Sequence, residues 1–534
     1  MPGRNALLGL ELVVVLGVTV LACGVLARRV RVAPPVLLLA CGALLGFAPA
    51  LRGVHLPPEV VLLLFLPALL YWESLTISLR EIRSNLRVIV LNSTALVIAT
   101  AAAVAAVAHA LGLGWGPAWV LGAAVAPTDA TAVGTLAGSL PRRTITVLRA
   151  ESLVNDGTAL VVYGVAVGVT AGQERLSVPH IGWLLVLGYG GGALAGAVTG
   201  WLAIGVRRRL DDPFLENVAV ILIPFTAYLL AEAIHASGVL AVVVCGLMMS
   251  QAGPRLGHAD TRQQMEAFWS LSVYLLNGAL FVLVGLELQA AARGLTGTDL
   301  ARALAAVGAV SLTVIGTRFA WVFSVPYVIR ALDRRPQQRL RRVGPRARVV
   351  SAVAGFRGAV SLAVALAVPD TVASGAPFPD RDLIIFVTAG VVVVTLVLQG
   401  LLMPSVVRWA RLPLDTSAQQ ELHFAEILAT EEAIAAIPQL ASDLGTEPEI
   451  ADRVRREYEK HLRVLHASDD GADDEPALRY DQQYTALRLA GIAHKRATMV
   501  RLRDQRRIDD AVLRQVQRRL DIEEVRLSRR GVAD

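Results

Sequence analysis

The sequence predicts an all-α polytopic membrane protein. About thirteen transmembrane helices form inverted repeats with two discontinuous crossing helices, and a C-terminal cytoplasmic helical domain follows. Three observations carry this reading. Of 534 residues 54% are hydrophobic and only 18% charged, against about 25% charged in an ordinary soluble domain. Apolar runs of about 20 residues recur up to about residue 410, continuous rather than alternating, which selects helices over a barrel. Two of these runs carry helix-breaking residues beside a charge: Pro127 before Asp129, and Gly355 and Gly358 around Arg357.

Taken in order, the spans fall at roughly 6–27, 33–51, 57–75, 88–112, 115–138, 145–171, 179–206, 217–236, 238–253, 268–292, 300–330, 348–368 and 382–408. The first resembles a signal sequence, but its apolar core is too long for one, and the arginines of ARRVR suit a retained span. Arginines test the count. One alternate set of connections carries Arg28, Arg29 and Arg31, then Arg80, Arg83 and Arg87, then Arg142, Arg143 and Arg149, and so on to Arg408 and Arg411. The opposite set is sparse. The positive-inside rule then puts the N-terminus outside and the C-terminus in the cytoplasm of a plasma-membrane protein. The formal net charge of +7 matters less than this placement.

Composition changes after Leu412, which divides the chain into a transmembrane domain, 1–412, and a cytoplasmic helical domain, 413–534. The tail has helical spacing and abundant charge, with the acidic DDGADDEP at 469–476 as a loop; dimer contact or regulation is one role for it, a solvated appendage the other. Cys23, Cys41 and Cys245 lie in apolar spans without ligand spacing and read as small buried hydrophobes.

A charge at mid-membrane costs about 2.5–3.5 kcal/mol on insertion scales, so each one asks for a reason. In ESLVNDGTALVVYG, Glu151, Ser152, Asn155 and Asp156 share about one helical face, with Ser152 one turn before Asp156. A hydroxyl and a carboxylate one turn apart are hard oxygen ligands for an alkali cation; the bland alternative is a structural carboxylate. Asp129 follows Pro127, whose break frees carbonyls such as that of Thr128, so Asp129 and Asp156 are expected to share a site rather than Asp129 merely capping a kinked helix. Glu73 either lines an ion path or snorkels to the interface. Arg357 needs a carboxylate, and Glu151 is the candidate. Arg318, Glu232 and Glu287 are further in-span charges whose partners are open. Gly188, Tyr189 and Gly190 look like a potassium-filter fragment, but no pore helix precedes them, and Gly191, Gly192 and Gly196 indicate close helix packing instead.

FLPALLYWES, APTDATAV, ESLVNDGTALV, AYLLAEAIHASGVLAVVVCGL, FVLVGLEL and GFRGAVSLAVAL occur in that order. Together they resemble the monovalent cation:proton antiporter family, in the bacterial sodium/proton exchanger branch with an Asn-Asp pair, over about 400 residues. RLRDQRRIDDAVLRQVQRRLDIEE is similar to C-terminal helical domains of bacterial members. The resemblance implies a mobile core domain, a dimerisation domain and a homodimer. It implies that Asp156 binds both cation and proton, with Asp129, Ser152, the Thr128 carbonyl and, through water, Glu73 completing the Na+ coordination. It also implies a Glu151–Arg357 core ion pair oriented by Asn155, and electroneutral one-for-one exchange because Asn155 replaces a second aspartate. GFRG departs from the usual Gly-Leu-Arg-Gly without changing the chemistry.

The function expected is therefore secondary active exchange of Na+ (or Li+ or K+) for H+ by alternating access, serving pH and sodium homeostasis. No enzymatic activity, catalytic residue or cofactor is expected; partners are monovalent cations, membrane lipids and a second copy of the chain, with no nucleic acid. The alternatives are potassium/proton antiport and, further off, a passive channel; paired aspartates also occur in intramembrane proteases, but no catalytic water site is implied here.

Overall fold

A computed structural model describes residues 2–30, 34–48, 61–129, 140–172, 182–183, 186–256, 258–293, 297–332, 344–412, 415–469 and 476–528. No strand occurs among them, and the chain divides into two compact units, Met1–Leu414 and Asp415–Asp534. Among the described residues, nine helices are long and apolar enough to cross a membrane, and three shorter apolar ones, Pro34–Leu45, Leu63–Thr76 and Trp115–Val125, accompany them.

The first unit begins with α1 (Pro2–Val30) and α2 (Pro34–Leu45). A π-helical turn, Val61–Phe65, leads into α3 (Leu66–Thr76). Then α4 (Leu79–Val90) continues through a second π turn, Leu91–Leu96, into α5 (Val97–Ala110). Arg80, Arg83 and Arg87 were expected in a connection; they lie inside α4, because Ser78 starts that helix early. Ser-Leu-Arg-Glu is a capping-box sequence, and the Ser78 hydroxyl accepts from the Glu81 amide at 3.4 Å. Next come α6 (Trp115–Val125), α7 (Arg142–Thr170) and, after a π turn at Leu187–Gly191, α8 (Gly192–Arg207). α9 (Pro213–Ala233), α10 (Gly238–Ala252), α11 (Ala259–Arg293) and α12 (Gly297–Leu332) follow. Two half-helices, α13 (Pro345–Val353) and α14 (Ala359–Leu366), precede the long α15 (Arg381–Ala410).

α15 is the axis of this unit. Its most apolar window is 72% buried, against 17% for that of α1. The run IIFVTAGVVVVTLVLQG is apolar all round, the pattern of a helix enclosed on every side. It packs against α2, α6, α11, α12, α13 and α14. Small residues bring α8 against α10: a Cβ on Gly192 would meet the Ser237 carbonyl at 2.6 Å, and Gly191 and Gly196 are as tightly placed, so these three glycines serve close packing.

The second unit is four helices, α16 (Ser417–Leu444), α17 (Pro448–Asp469), α18 (Pro476–Asp504) and α19 (Asp510–Ser528), each packed on the next. Its apolar centre is small, built from Ile492, Leu520 and Leu527. Polar ties supplement it: Arg496 bonds Asp521 at 2.6 Å and also Glu524, and Arg488 pairs with Glu523. The Lys460 ammonium sits 4.0 Å from the Tyr480 ring centre, joining α17 to α18.

A candidate cation site at two broken helices

Two chain breaks meet in the first unit. α6 ends at Val125, because Pro127 lacks the N–H that would bond the Ala123 carbonyl and its ring opposes further helix. Ala126 bends, and Pro127 to Asp129 run non-helical; the rest of the expected fifth span, 130–138, lies outside the described residues. The second break, Ala354 to Gly358, separates α13 from α14. The two segments are hydrogen-bonded to each other: the Asp129 amide donates to the Phe356 carbonyl at 2.9 Å. A Cβ on Gly358 would overlap the Asp129 carboxylate, so glycine there is a condition of the crossing. Arg357 is anchored by its own amide, which donates to the Thr395 hydroxyl of α15 at 3.3 Å.

α7 supplies the second set of groups. Glu151, Ser152, Asn155 and Asp156 are all buried, at 2%, 6%, 1% and 6% exposure, so the helical face read from their spacing is the face turned into the protein. The Asn155 amide donates to the Thr128 hydroxyl at 2.7 Å and to the Thr128 carbonyl at 3.3 Å, tying α7 to the first break. The Thr128 hydroxyl in turn donates to Glu151 Oε1 at 3.4 Å. Asp156 stands within electrostatic range of Asp129 and Glu73, and Glu73, half-buried on α3, within range of Asp129 and Arg149. The site residues expected on α3, α6 and α7 therefore converge on one region. Among the described residues, no group of three or more His, Cys, Asp or Glu stands close enough to hold a metal ion by itself. A cation here would draw on hydroxyl and carbonyl oxygens as well as carboxylates.

The ion pair differs from expectation. Glu151 pairs with Arg318 of α12, Nη1 to Oε1 at 2.6 Å, not with Arg357. Arg318 Nε also donates to the Ser351 carbonyl at 3.1 Å, so the guanidinium bridges α7 and α13. The other Glu151 oxygen accepts from Asn92 at 2.9 Å, and Asn92 Oδ1 accepts from the Trp321 indole at 3.0 Å. The physical reason lies in reach. Arg357 is held at its amide inside the second break, and its Nε and Nη1 are buried without a hydrogen-bond partner, while Arg318 approaches along α12 with its stem over Gly355. Asn92 carried no signal in sequence; it lies in the π turn between α4 and α5, the kind of irregularity that recurs at functional sites. Of the other in-span charges, Glu232 is exposed at the end of α9 and bonded to Tyr228, and Glu287 is buried on α11.

The family profile described as sodium/hydrogen exchanger, transmembrane, matches residues 16–409. An uncharacterised Na+/H+ exchanger of Mycobacterium bovis is 46% identical over 523 residues, covering 97% of this chain and 96% of its own. A sodium, potassium, lithium and rubidium/H+ antiporter of Bacillus pumilus is 30% identical over 407 residues, 73% of this chain and 60% of its own. The structure of a sodium/proton antiporter from Methanocaldococcus jannaschii superposes with a TM-score of 0.56 at 17% identity, over 75% of this chain and 99% of its own.

Proposed function

The chain belongs to the sodium/hydrogen exchanger family of membrane cation/proton antiporters, and from that premise we propose that it exchanges one Na+ for one H+ across the plasma membrane, electroneutrally and by alternating access. Asp156 is the carboxylate for which proton and cation compete. Asp129, Ser152 and the Thr128 carbonyl complete the cation's oxygen shell, with Glu73 reaching it through water. The protein works as a homodimer with its N-terminus outside and its C-terminal helices in the cytoplasm, in the service of sodium and pH homeostasis.

One observation carries the reading: the Asp129–Phe356 bond joins two broken helices at the point where Asp129 and Asp156 act on each other electrostatically. Broken helices at the midplane are how secondary transporters expose carbonyls and carboxylates to an ion. The charge balance supports a stoichiometry of one. Glu73, Asp129 and Asp156 are linked electrostatically with Arg149; Glu151 is linked with Arg318 and Arg357. Fully ionised, four carboxylates face three guanidiniums, leaving a single negative charge for one proton or one monovalent cation to cancel. Asn155, an amide bonded to Thr128, adds no charge to that count. Moving an uncancelled charge through an occluded site costs several kcal/mol, so the empty ionised site changes sides poorly and exchange becomes obligatory.

The test is transport in proteoliposomes under an imposed pH gradient, read with a pH-sensitive dye, with the membrane potential clamped or free. Sodium-driven dequenching that ignores the potential and vanishes in Asp156→Asn is the expected result. Cation flux without proton movement would overturn the reading. Potassium/proton antiport is the second reading, favoured by the four alkali cations named for the Bacillus pumilus relative; adding potassium and lithium in turn separates the two.

A further inference from the structure

A cavity of about 230 Å³ lies beside the core ion pair, between α4, the start of α7, the end of α12 and α13. With about 30 Å³ per water, it has room for the equivalent of about eight waters. Its floor is the Glu151–Arg318 pair. Its wall carries three more arginines, Arg87, Arg143 and Arg348, so Glu151 is its one acidic lining residue against four basic ones. That sign repels a cation and sets the cavity apart from the candidate ion path. The remaining lining is mostly apolar, with Val88, Val325 and Trp321 among it. Alongside, α4 presents Leu86, Val88 and Val90 outward, at 52%, 40% and 45% exposure, the surface a helix turns to acyl chains.

We propose that this cavity binds the phosphate headgroup and upper acyl segment of an anionic phospholipid entering from the leaflet at the arginine-bearing end of the bundle. The arginines match the phosphate, as guanidinium forks do, and the valines and Trp321 match the chain. Basic pockets between transmembrane helices at a cytoplasmic face are a recurring site for such headgroups. Neither exchange nor its stoichiometry enters this argument, so a binding measurement decides it separately.

The experiment uses the full-length protein in detergent micelles and the fluorescence of Trp321, taken as the difference between the parent and Trp321→Phe. Dibrominated phosphatidylglycerol should quench that component at about tenfold lower mole fraction than dibrominated phosphatidylcholine with the same chains. The Arg143→Gln/Arg348→Gln double variant should bring the two lipids level. Val325→Phe, which fills the cavity and keeps its charges, should abolish quenching by both, and it carries the test if the arginine variant does not elute as a monodisperse protein. Equal quenching of the parent by both lipids would overturn the proposal, as would a preference that survives either variant. Displacement of the brominated lipid by millimolar inorganic phosphate would also overturn it, reassigning the cavity to a soluble anion.

Discussion

Arg318 and Arg357 are both buried, and the structure makes unequal predictions for them. Glu151 is 2% exposed and its ion pair runs to Arg318 at 2.6 Å. Substituting Arg318 by Met keeps the volume but leaves Glu151 a buried charge without its closest counter-ion, which costs about 3–5 kcal/mol. At 1.36 kcal/mol per decade this is a loss of about two to nearly four powers of ten in the folding equilibrium. Arg357→Met instead removes a guanidinium whose Nε and Nη1 have no hydrogen-bond partner and which acts on Glu151 through its charge, so its loss should cost less than that of Arg318. Reversible unfolding in mixed micelles measures both. A cycle with Glu151→Gln isolates the pair: coupling at the upper end of the usual range of about 0.5–3 kcal/mol belongs to Arg318. If Arg357→Met is the more damaging change, or if Glu151 couples to Arg357 and not to Arg318, the assignment of the ion pair is refuted.

Four other outcomes follow from the site. Gly358→Ala drives a Cβ into the Asp129 carboxylate, an overpacking of about 1–3 kcal/mol, and should reduce exchange at least tenfold in liposomes while the protein still elutes as one species. Asn155→Ala removes the two donors that fix Thr128; with about 1 kcal/mol for each hydrogen bond, half-maximal sodium should rise by roughly thirtyfold, read from dye dequenching against sodium concentration. Asp129→Asn should weaken sodium affinity but keep proton-coupled exchange, whereas total loss equal to that of Asp156→Asn would make the two carboxylates equivalent. Rate against pH should be bell-shaped, because protons displace the cation at the acid end and are too scarce to return at the alkaline end; a monotonic profile would count against competition at one carboxylate.

What could be read in the sequence, and what could not, divides along physical lines. The face of α7 was legible because a helix fixes which residues share a side: Glu151, Ser152, Asn155 and Asp156 recur at three- and four-residue spacing and are all buried. The breaks were legible because proline and paired glycines act on the backbone locally, and both lie where α6 stops and where α13 gives way to α14. The ion pair was not legible. Glu151 and Arg318 are 167 positions apart, and two arginines, both in apolar spans, competed for one carboxylate. Choosing between them needs the approach of α12 over Gly355 and the tether of the Arg357 amide to Thr395, neither of which leaves a local pattern. Asn92 escaped for a related reason: a polar residue in a π turn breaks the 3.6-residue period from which faces are inferred.

The crossing also gives its two aspartates different surroundings. Gly358 is the N-cap of α14, so the Asp129 carboxylate that crowds it lies against the positive end of a helix, an interaction worth up to about 2 kcal/mol when partly buried. Its amide is committed to Phe356. Asp129 is thereby held in place and its charge eased, which suits the constant ligand of the proposed cycle. Asp156 has neither tie. It projects from the middle of an unbroken α7, 6% exposed, next to Asn155, which bonds Thr128 just beyond the C-terminal end of α6, where Pro127 leaves a carbonyl without its helical donor. Carbonyl and carboxylate together are negative, and α14 is spent on Asp129. In the proposed cycle the charge still to be cancelled is that of Asp156, by a proton or by a cation that the surrounding oxygens can also hold. A site with one constant and one exchangeable anion loads one positive charge at a time, which is the one-for-one exchange proposed for this chain.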